Sequence, residues 1–74
     1  MELDVFLLLP DRPVLVLIAS VEDEHTAVPM AKAIIESLVL YAGSAAVEGV
    51  RVQYGSEIME WRQGTLYRME RHLV

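Results

Sequence analysis

The chain opens with strict alternation. Leu3, Val5, Leu7 and Leu9 fall on one face of an extended segment, and Asp4, Phe6 and Leu8 on the other, which is the period of two that a strand requires. Pro10 and Pro13 lack the N–H a ladder needs and Asp11 suits a turn, so residues 10–13 read as a loop. Residues 14–21 follow as an apolar, β-branched run, the composition of a strand covered on both faces. The two segments are expected to pair as a hairpin. Leu3, Val5, Leu7, Val14, Val16 and Ile18 would face inward, and Phe6, Leu8, Leu15, Leu17 and Ala19 outward.

The period then changes. Glu22, Asp23, Glu24 and His25 lead to Thr26, a suitable helix cap, and Pro29 is tolerable in a first turn. Ala27, Met30, Ala31, Ile34, Leu38, Tyr41 and Ala42 recur at spacings of three and four. Val28, Ile35 and Val39 widen the stripe, while Lys32, Glu36 and Ser37 stay on the wet side and Leu40 falls near it. The spacing predicts a helix over about 27–42 with Gly43 as its C-cap.

Alternation returns at residues 50–54. A two-residue turn at Gly55-Ser56 would set Val52 opposite Met59, Val50 opposite Trp61 and Arg51 opposite Glu60. A second turn at Arg62-Gln63-Gly64 would bring residues 65–73 back with Tyr67 near Met59. Val50, Val52, Tyr54, Met59, Trp61, Tyr67 and Met69 would then share one face, and Arg51, Glu60, Arg68 and Glu70 the other. The competing arrangement makes residues 57–73 helical, because they are rich in Met, Glu, Arg and Leu. The expected fold is α+β, one domain over residues 1–74, in the order β-β-α-β-β-β. One antiparallel or mixed sheet packs on a single long helix, with β-β-α-β-α as the alternative.

Composition sharpens this picture in one respect. At 54% apolar the chain exceeds the roughly 45–50% usual for soluble domains. A chain this short buries only about 60% of the surface its unfolded form exposes. Small scaffolds gain support from disulfides, metals or oligomerisation. Cysteine is absent, and His25 and His72 are the only histidines, so oligomerisation is the expected route, most simply a twofold pair. The first-hairpin residues Phe6, Leu8, Leu15 and Leu17, with Leu40 of the helix, are the candidate interface. A heterologous protein partner is the other way to cover them.

Charge excludes more than it suggests. The net charge is −5, which argues against nucleic-acid binding through a phosphate-tracking basic surface. Trp61, Tyr54 and Tyr67 near Arg51, Arg62 and Arg68 resemble a stacking platform in composition, but they alternate with Val50, Val52 and Met59 as sheet core does. The leading residues are acidic, unlike a signal peptide, and the apolar runs are too short to span a bilayer. A cytoplasmic protein without a membrane segment is expected.

The densest polar cluster holds Glu22, Glu24 and His25, the weak candidates for a metal or ligand site in a small regulatory domain. Acids also gather there simply because a helix start carries partial positive charge. His72 stands two residues from the end of the chain. No Gly-x-Ser-x-Gly, phosphate loop or thiol nucleophile is present, so neither catalysis nor a cofactor is expected. The sequence reads as a small acidic interaction module, not an enzyme.

Overall fold

The computed structural model describes residues 1–42 and 46–70; Gly43 and His72 lie outside them. Five strands and one helix follow the order β-β-α-β-β-β: β1 (Glu2–Leu8), β2 (Pro13–Ser20), α1 (Glu24–Ala42), β3 (Gly49–Tyr54), β4 (Glu57–Arg62) and β5 (Thr65–Glu70). All pairings are antiparallel, and the spatial order is β2-β1-β3-β4-β5. The helical alternative for residues 57–70 does not occur.

The central ladder is the one the alternation predicts. Val50 lies opposite Trp61, Arg51 opposite Glu60 and Val52 opposite Met59. The intervening turn places Gly55 at φ 55°, as a two-residue turn with glycine first requires. On the other side, β1 sets Leu3 opposite Tyr54, Val5 opposite Val52 and Leu7 opposite Val50. These rows share one face, and α1 packs across it, mainly over β3 and β4. The buried core joins Leu3, Val5, Val50, Val52, Tyr54 and Met59 to Ala27, Ala31 and Ile35 of the helix. Two alanines on the contact stripe let the helix backbone come close to the sheet.

α1 starts earlier than the apolar stripe suggests. Asp23 is the cap: its Oδ1 accepts the Thr26 N–H at 2.9 Å and the Thr26 hydroxyl at 3.0 Å. Pro29 therefore sits in the second turn, where it removes the N–H that would reach the His25 carbonyl. His25 is exposed, so water can take the place of that donor.

Two expected faces are corrected. The turn between β4 and β5 holds two residues, not three, since Arg62 pairs with Thr65. Gln63 and Gly64 both take positive φ, 50° and 85°, the pattern of a type I′ turn. The one-residue difference puts Tyr67 opposite Glu60 and Met69 opposite Ile58, so both leave the core face and Arg68 enters it. In β2 the register with β1 shifts between Val5 and Phe6, and Val16 is left without a partner. Beyond this bulge, Leu17 pairs with Val5 and Ala19 with Leu3 on the helix face, while Ile18 pairs with Asp4 on the open face. β2 is also an edge strand, not one covered on both faces.

Gly49 explains why Leu8 is not available at a surface. A Cβ on Gly49 would collide with the Trp61 carbonyl oxygen and stand 3.2 Å from Leu8 Cδ1. Leu8 uses that space and is only 3% exposed. Gly49→Ala is expected to cost about 1–3 kcal/mol by overpacking, read as a lower urea midpoint at unchanged slope.

Candidate functional site

The five strands span roughly 20 Å at about 4.8 Å each, and a single helix about 10 Å wide covers one face. What the helix misses is visible at β2. Leu15, Val16, Leu17 and Ile18 are 47%, 45%, 46% and 54% exposed, four consecutive large apolar side chains. Leu15 and Ile18 lie on the open face, and Leu17 lies on the helix face beyond the reach of α1. No residue of Pro13–Ser20 carries a charge.

The five predicted interface residues do not share one surface. Phe6, partly buried, sits between Leu15 and Arg51 on the open face. Leu17 is on the opposite face, Leu8 is buried, and Leu40 stands 84% exposed on the helix. Sequence reasoning placed Val16 and Ile18 on the inner face, because strict alternation leaves no room for a bulge. It placed Tyr67 and Met69 there through the longer turn. Both belong instead to the exposed strand β5, with Leu66 exposed on its other face.

The open face has a polar centre. Glu60, 6% exposed, is held by Arg51, whose Nε donates to Oε1 at 2.7 Å, and by Arg62 Nε, 3.3 Å from Oε2. A carboxylate this buried requires such partners. The two guanidinium groups offset the cost of burying the carboxylate, with Tyr67 and Met69 beside the trio.

Two further features sit around the helix. A shallow apolar groove between α1 and the β4–β5 side is lined by Ile35, Val39, Trp61 and Leu66, with Lys32 and Glu36 at its rim. At the other end, Tyr54 is buried, and its hydroxyl makes no well-formed hydrogen bond among the described residues. Burial pushes its phenol above the usual value, and the charge of nearby Arg68 opposes that shift.

Glu22, Glu24 and His25 are all exposed at the helix start. Among the described residues, no group of three or more His, Asp or Glu side chains comes together to hold a metal ion. No helix among them is long and apolar enough to cross a membrane. Comparison with protein-family models, characterised proteins and solved structures gives no match.

Two outcomes follow from the polar groups. Arg51→Ala should leave the Glu60 carboxylate to Arg62 alone and lower unfolding free energy by on the order of 2 kcal/mol, measured by urea denaturation. Its hydrogen bonds to Thr26 hold Asp23 below its ordinary carboxylate value. A lowered folded pKa contributes stability above the unfolded value near 3.8 that fades as pH falls through the folded one. Asp23→Asn keeps an oxygen for the cap, so its melting temperature at pH 7 should stay close to the parent's while its loss between pH 4 and 2 becomes shallower.

Proposed function

We propose that this chain is a small non-enzymatic interaction module that self-associates through the apolar surface of β2. The observation that carries the reading is the run of four half-exposed residues, Leu15–Ile18, on an uncharged edge strand. Large apolar side chains exposed side by side along one strand edge are what an association site in a small soluble protein presents.

The magnitudes support a reversible contact. Full burial of such a side chain gains about 1.5–3 kcal/mol, so each half-exposed one retains about 1 kcal/mol of unused gain. Eight of them, from two copies, supply about 8 kcal/mol against an association cost of roughly 4–15 kcal/mol. The two terms nearly cancel, so pairing driven by apolar burial alone is weak and dependent on concentration. The acidic net charge of −5 keeps the assembly soluble.

Light scattering behind size exclusion should show a mass that rises toward twice the chain mass as loading concentration increases. Leu15→Asp with Leu17→Asp, both at half-exposed positions, should yield a folded monomer by circular dichroism at every concentration. A parent protein that stays monomeric throughout would end this reading. Strong binding of a hydrophobic dye by that monomer would point to a heterologous partner for the same strand.

A further inference from the structure

We infer that the association rests on strand pairing: β2 of one copy lies antiparallel beside β2 of a second, with Ile18 opposite its counterpart at the two-fold axis. This rests on the self-association proposed above and specifies its geometry. Two five-stranded sheets then become one.

The first argument is which faces need cover. Leu15 and Ile18 are exposed on the open face and Leu17 on the helix face. A layer stacked on either face covers only one set. A strand alongside presents side chains alternately to both.

The second argument is where the unused backbone groups point. Val21 N–H donates to the Met1 carbonyl at 2.8 Å, and the Met1 amine donates to the Val21 carbonyl at 2.8 Å. Met1 and Val21 thus form a hydrogen-bonded pair, and such pairs alternate along an antiparallel ladder. With Leu3 opposite Ala19 and Val5 opposite Leu17, Ala19 and Leu17 bond inward to β1. The N–H and C=O of Ile18 and Ser20 turn to the free edge.

The third argument is which edge is protected. Natural edge strands are blunted by proline, bulges and charges. On β2, Pro13 and the bulge at Val16 guard the first half only. The other edge, β5, carries Arg68 and Glu70. The stretch from Leu17 to Ser20 has neither device.

These constraints select a register. With Ile18 on the axis, Ser20 meets Val16 of the second copy and Leu17 meets Ala19, so helix-face residues oppose helix-face residues. Moving the axis to Leu17 sets Leu15 against Ala19, from opposite faces within the strand, and brings the bulged Val16 next to the axis, opposite Ile18. Moving it to Ala19 brings Glu22 against apolar Val16.

The chain has no cysteine, so single substitutions report the register directly. Leu17→Cys, Ile18→Cys, Ala19→Cys, Ser20→Cys and, on the other edge, Met69→Cys would be equilibrated in a glutathione redox buffer and read by non-reducing electrophoresis. A hydrogen-bonded pair holds its Cα atoms about 5.5 Å apart, within disulfide range. Ile18→Cys should form covalent dimer at least ten-fold more readily than the other single variants. Leu17→Cys mixed with Ala19→Cys should form the mixed dimer in preference to either homodimer. In the parent, hydrogen exchange at the Ile18 and Ser20 amides should slow as concentration rises. Concentration-dependent mass with cross-linking greatest at Met69, or at Leu17 alone, would overturn the register and leave self-association standing. A monomer at all concentrations would overturn both.

Discussion

One helix must roof five strands, and the rest of the structure follows from that mismatch of widths. The core forms where α1 reaches, over β3 and β4 with the near side of β1. There the packing is dense enough that Val5, Val50 and Val52 lose all exposure. Outward from this centre, cover thins with each strand. A wider roof would need a second helix, and α1 is the only helix among the described residues.

The two edges meet this shortage differently. β5 places Arg68 and Glu70 between its apolar residues, and Arg68 reaches Glu57 of β4 at 4.0 Å. That edge gains water-compatible groups at the cost of a weakly packed strand. β2 keeps an uninterrupted apolar sequence and leans on local backbone irregularity instead. The open face is stabilised in a third way, by holding a buried carboxylate between two guanidinium groups.

The legible parts of the fold were those with redundant signals. The β3–β4 hairpin had alternation, a Gly-Ser turn and matched pairs at once, and its register was read correctly. The helix was legible from its stripe, but its start was not, because Asp23 and Thr26 are both good caps and only geometry chooses between them. The β4–β5 register slipped by one because Gln63 is an unusual residue for a left-handed turn position. The bulge at Val16 left no mark in a run where every residue is apolar. The candidate interface residues on β2 were accordingly assigned partly to the wrong face. Leu8 was lost to it through the missing side chain of Gly49, a contact across β1 and β3 that no local pattern reveals.

The seam between β1 and β3 also governs how the chain finds this arrangement. β1–β2 and β3–β4–β5 are each joined by short turns, so each piece forms from neighbouring residues. Leu3 and Tyr54 meet only after the intervening chain, helix included, has been closed into a loop. That closure costs about 3 kcal/mol in chain entropy, and its contacts lie far apart in sequence, the kind that slows folding. Two local units meeting along one ladder is therefore the step expected to set the folding rate. The helix belongs to the same event, because its buried Ala27, Ala31 and Ile35 share one core with residues of both units.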